Sequence, residues 1–220
     1  MIDDRTIVEK TYLLYTKYGI KSVSVDEIAA MLGISKKTLY VHIRSRDELL
    51  QLVIDYSLTQ FMSGLHKLLN PEQHVFRKLG LFYSYIIKIN RKINPSFLPD
   101  LKKVNVMHFR TIQEFRNDKL FNIVKPIVEE GIRQELFRPD LDIKLAYLHQ
   151  ISKIDGGILK GSPEYNQALF SDSIYKLILN DLIGMTSLKG HQVIERQYGE
   201  MLLLIKECDQ SILQKTKQNN

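Results

Sequence analysis

One cysteine, Cys208, is all the chain contains, so no internal disulfide can staple it. Long apolar runs are missing too. The longest stretch free of Asp, Glu, Lys and Arg, Tyr56 to His66, is eleven residues, well short of the roughly 18 to 20 needed to cross a bilayer. No membrane partner is expected. The N-terminus carries acids at Asp3 and Asp4 with no apolar signal core after them, which makes the cytoplasm the expected compartment. Glycine and proline are sparse, eleven and six in 220 residues, and no strand-like alternation persists; an all-α fold follows. Catalytic patterns are absent as well. Gly156, Gly157 and Gly161 fit neither a phosphate loop nor a dinucleotide fingerprint. His42, His66, His74, His108, His149 and His191 lack the spacing or the cysteine company of a metal site. We expect no enzyme, no cofactor and no metal.

What is present is a dense group of signals between Ser24 and Leu50. Ser24 with Glu27, and Ser45 with Glu48, have the spacing of capping boxes, each marking a helix start. Ile28, Ala29 and Leu32 share one helical face, Gly33 suits a left-handed turn, and Ser35 can cap a second helix over about Lys36 to Ile43. Leu39 and Ile43 point that helix inward and leave Lys36, Lys37, Thr38, Tyr40 and His42 outside.

Net charge is +6, but its placement says more. Residues 1 to 50 hold eight basic and seven acidic side chains, yet from Ile28 through Arg46 there is no acid, while Lys36, Lys37, Arg44 and Arg46 supply +4. A short cationic helix after a tight turn is a helix-turn-helix fitted to the DNA major groove. Ser24, Lys36, Tyr40, His42 and Arg46, at helix starts or flanking the groove helix, are the expected phosphate contacts. Ser35, Lys37 and Thr38 are the candidates for base edges.

Residues 7 to 50 resemble the DNA-binding domain of the TetR (tetracycline repressor) family. The match runs through Ile7, Thr11, Leu14, Tyr15 and Gly19, then SVDEIA, then LGISKKTLYVHIRSRDELL. Three positions depart from the pattern: Thr11 replaces a small alanine, Ile43 a phenylalanine, and Lys37 a frequent glycine. The resemblance implies a homodimeric, ligand-responsive regulator, most simply a repressor on a palindromic operator of double-stranded DNA. Residues 1–46 would form the helix-turn-helix domain and 47–220 the helical effector-binding and dimerisation domain.

Further helices are expected at 46–69, from Glu72 after Asn70-Pro71, from Asn94-Pro95 to about Met107 with an interruption near Pro99, and from Phe109 to Leu136 with a kink at Pro126. Asp142 caps the next, to about Lys160, and helices at 165–184 and 192–215 follow. In the resembled family the pair at about 142–184 forms the dimer interface, with closing the monomer core as the alternative; the helix at 192–215 either enlarges that interface or covers the core of the ligand domain. An unidentified small, largely apolar effector is implied by the resemblance. Candidate contacts are Phe61, Tyr83, Phe97, Met107, His108, Phe115, Tyr147 and His149, the polar tips serving selectivity. Such aromatic stripes also simply fill cores. The rival reading makes the C-terminal domain a platform for a protein partner: a packed interior would favour it, and a cavity of about 300 Å³ or more the effector.

Overall fold

The computed structural model describes residues 2–155, 164 and 173–196. Among these the secondary structure is helical, apart from one isolated antiparallel bridge between Phe137 and Thr186. Two compact units divide the chain: residues 1–64 with 92–116, and residues 65–91 with 117–220.

The first unit opens with α1, Asp4–Tyr18, whose N-cap Asp3 accepts the Thr6 N–H. Thr11, where a small residue is usual, is fully buried and donates its hydroxyl back to Ile7 O at 2.7 Å, so the extra polar atom is satisfied inside its own helix. α2, Val25–Leu32, carries the reciprocal Ser24–Glu27 capping box. α3, Lys36–His42, starts at the Ser35 cap, and α4 spans Arg46–Leu68. Ser45 accepts the Glu48 N–H, but the Glu48 carboxylate takes the Arg44 N–H and not that of Ser45, so this second box is not reciprocal.

Ile7, Ile28, Leu39, Leu49 and Val53 meet in one core with Phe97 and Leu101. These last two come from α6, Phe97–Val104, and α7, Val106–Glu114, follows it. The compact unit therefore reaches past the sequence boundary after residue 46: a three-helix head leaves an apolar face open, and α4, α6 and α7 cover it.

Gly33 ends α2 at φ +67 with open space where a Cβ would stand. Gly33→Ala meets no clash, so its expected cost is the left-handed conformation alone, about 1 kcal/mol, read as a lower melting temperature in thermal unfolding.

The second unit is built around α5, Val75–Lys92, buried on nearly every side from Val75 to Lys88. It starts later than Asn70-Pro71 suggests. Asn70 accepts the Glu72 N–H and donates its own N–H to the Gln73 side chain, a local turn that competes with the first helical turn. Pro99 does not interrupt α6, because it lies in the first turn, where its missing N–H has no helical partner. The break falls at Asn105, which caps α7 through the Met107 and His108 N–H groups.

The long helix expected from Phe109 is helical throughout residues 106–133, with a wider i→i+5 stretch, Phe115–Leu120, joining α7 to α8, Phe121–Arg133. Pro126 lies inside α8. Beyond it the chain reverses through Glu135, at φ 61, and is pinned by Arg138 N–H to Met185 O and Ser187 N–H to Leu136 O. Gly190, in helical residues 188–196, lets that helix touch the Leu136 backbone, since a Cβ would stand 1.9 Å from Leu136 O.

α9, Ile143–Ile154, has its expected Asp142 cap, and α10 is Ser173–Gly184. Most of the expected 192–215 helix, residues 156–163 and 165–172 of the expected dimer pair, and Cys208 lie outside the described residues.

Candidate functional site

α3 is held by what lies beneath it. Leu39 and Ile43 are buried in the first unit's core, while Ser35, Lys36, Lys37, Thr38, Tyr40 and Val41 are exposed. Val41 is 78% exposed and was missed by the sequence reading. It sits about 200° round the helix from Leu39, so the inward position of Leu39 already implied it. Lys37, Thr38 and Val41 form an outward stripe offering a cation, a hydroxyl and two methyls, the groups that read base edges and thymine methyls. Ser35 Oγ accepts the Thr38 N–H at 3.0 Å and lies 2.8 Å from Thr38 Oγ1.

The acid-free span in sequence is not acid-free in space. Lys36 Nζ is 3.0 Å from Asp26, and His42 Nδ1 is 2.7 Å from Asp4. Both aspartates are largely exposed, so water screens these pairs and a phosphate could displace either acid. Ser24 already has its hydroxyl and N–H engaged with the Glu27 carboxylate. Those hydrogen bonds hold the Glu27 pKa below its ordinary value. Lys37 and Arg44 are exposed.

Arg46, an expected phosphate contact, is engaged by the protein's own backbone. Its Nη2 donates to Ile20 O and to Val23 O, both at 2.8 Å, in the connection between α1 and α2. Burial raises the phenol pKa of Tyr15 against the pull of this guanidinium. Arg46 fastens the start of α4 to that connection.

The effector candidates divide between the two units, Phe61, Phe97, Met107, His108 and Phe115 in the first and Tyr83, Tyr147 and His149 in the second. Phe61 and Phe115 stack edge to face at 5.8 Å, and Phe97 fills the first unit's core. Met107 and His149 are exposed. His108 is buried with Nε2 3.0 Å from Asp47, and Asn105 Nδ2 donates to the same oxygen, which ties α7 to the first turn of α4. Tyr83 and Tyr147 alone among the candidates line a crevice in the second unit, with Leu79, Val128, Leu182 and Met185. It encloses about 10 Å³, room for one water. Burial, with Tyr147 and Asp181 nearby, pushes the Tyr83 pKa far up, so its phenol stays protonated. No cluster of His, Cys, Asp or Glu fit for a metal occurs among the described residues, and no described helix is long and apolar enough to cross a membrane.

Comparison with known proteins bears on the same stretch. Residues 7–53 match the family model described as bacterial regulatory proteins, tetR family. The transcriptional repressor KstR2 of Mycolicibacterium smegmatis is 26% identical over 137 residues, 61% of this chain and 67% of that protein. The transcriptional repressor NicS of Pseudomonas putida is 24% identical over 157 residues, 66% of this chain and 72% of that protein. In fold, a transcriptional regulator from Saccharomonospora viridis solved with choline superposes with a TM-score of 0.68 at 17% identity, covering 83% of this chain and 97% of that one.

Proposed function

We propose that this chain, whose residues 7–53 match the tetR family model and whose relatives include transcriptional repressors, is a homodimeric TetR-family repressor released from a palindromic operator by a small, largely apolar effector. The observation that carries the DNA half is the outward stripe Lys37, Thr38 and Val41 above buried Leu39 and Ile43. Two copies related by a dimer axis would enter successive major grooves about 34 to 36 Å apart. In support of the dimer, Leu145 and Leu148 on α9 and Leu177 on α10 are 65%, 37% and 43% exposed. Large apolar side chains on neighbouring helices at this exposure suit a partner surface.

Effector release needs a change at α4, because α4 begins directly behind the groove helix. The Asp47–His108–Asn105 contact is where movement of α7 would reach it. A coupling of about 1 to 3 kcal/mol between effector and operator suffices for a graded switch. The second reading, a DNA binder whose C-terminal domain recruits a protein, draws on the crevice's small size. Against it, the same fold in the Saccharomonospora viridis regulator holds choline, and Gln150, one turn beyond the crevice-lining residues of α9, is buried with its carboxamide unpaired.

Operator fragments selected from genomic DNA, bound under a salt series, test the assignment. Lys37→Ala is expected to weaken binding and alter preference at one position of each half-site, whereas Lys36→Ala weakens all sequences alike and lowers the salt slope by about one. If both variants bind like the parent protein, α3 does not face the groove.

A further inference from the structure

Gln150 lies on α9 with 0% exposure, and neither its Nε2 nor its Oε1 has a hydrogen-bond partner. A carboxamide carries two donors and an acceptor, and to bury all of them unpaired is costly when a leucine or methionine would fill the same volume. Such a group survives where it serves a function. Its place on the helix shows which. Ile143, Ala146 and Tyr147 line the crevice from α9, and Gln150 follows Ala146 by four residues and Tyr147 by three, so it continues the same face one turn on.

We propose that the effector is an uncharged, mainly apolar molecule bearing a primary amide or a lactam, whose N–H and C=O pair with Oε1 and Nε2 of Gln150 once the crevice opens along α9. This rests on the effector-responsive reading above. Only a group with a donor and an acceptor side by side satisfies both ends of the side chain; a ketone or an ester reaches Nε2 and leaves Oε1 bare. A carboxylate fares worse. The cations on α9, Lys144 and Lys153, are paired with Asp118 and Asp181, and Oε1 would face a second acceptor. The protonated Tyr83 phenol adds a neutral polar tip and suits an uncharged ligand.

The test uses the full chain with three probes of matched length: octanamide, octanoate and 2-nonanone. Octanamide is expected to raise the melting temperature of the parent protein most and to release operator DNA. Gln150→Leu and the closer isostere Gln150→Met are expected to melt higher than the parent without any probe and to bind octanamide about ten-fold more weakly, while 2-nonanone, which loses one hydrogen bond and not two, is weakened less, so that the preference for octanamide disappears. If the probes bind with no preference for octanamide, or the variants keep that preference, the Gln150 assignment is overturned and the effector reading stands. Variants that melt at or below the parent temperature show an amide already satisfied by buried water, which also overturns it. No response to these probes or to a broad library of apolar compounds, in a protein that still binds its operator, overturns both.

Discussion

Arg46→Ala is expected to cost the first unit about 3 kcal/mol and to abolish operator binding at physiological temperature. Two buried-side carbonyls, Ile20 O and Val23 O, share one guanidinium nitrogen as donor. Hydrogen bonds to a charged donor contribute about 1.5 to 3 kcal/mol each, and an acceptor left dry costs more than the bond was worth. Arg46→Lys restores part of the loss, since an ammonium also donates to carbonyls but sits on a more flexible stem and is more strongly hydrated, so it holds the two carbonyls less firmly. Thermal unfolding and amide exchange over residues 19–24 measure it. The alternative role makes the opposite forecast: a phosphate contact at this position would leave melting unchanged and lower the salt slope of DNA binding by about one. A variant with parent-like stability and weaker DNA binding would return Arg46 to the DNA surface.

Arg46 also shows where sequence stops being informative. The head was legible because its determinants are local: Ser24 and Ser35 cap the next turn, Gly33 takes the left-handed bend, and Leu39 lies i, i+4 from Ile43. A basic residue beside a groove helix suggests a phosphate, and only the fold reveals that two carbonyls more than twenty residues earlier lie within reach. The same holds for Lys36 with Asp26 and His42 with Asp4, pairs made by helix packing between segments distant along the chain. Asn70 and Asn105 set helix starts through side-chain turns that a proline-based reading overlooks. Aromatic side chains are as useful to a core as to a pocket, and Phe97, Phe61 and Phe115 went to packing. Gln150 lies three residues after Tyr147 and four before Ile154, on the buried face that helical periodicity marks out, while His149 beside it is exposed; what the pattern does not reveal is that its carboxamide has no partner there.

The other large effect concerns assembly. Leu145→Glu with Leu177→Glu is expected to convert the proposed dimer into monomers and to reduce affinity for a palindromic operator by about a hundred-fold or more, with affinity for one isolated half-site retained. A carboxylate placed in an apolar contact loses its hydration without gaining a partner, and each copy meets the same charge across a two-fold axis. Once one half-site is occupied, the second head of a dimer binds at an effective concentration in the millimolar range, which is the source of the hundred-fold or greater gain that monomers forfeit. Because Leu145 and Leu177 are already solvated in the single chain, at 65% and 43% exposure, the substitutions should leave each protomer's melting behaviour near that of a dissociated parent chain. Sedimentation gives the mass and fluorescence anisotropy on paired and single half-sites gives the affinities. A variant that stays dimeric and grips the palindrome as before would move the dimer contact off the outward leucines of α9 and α10, and with it the geometry that sets the two groove helices apart.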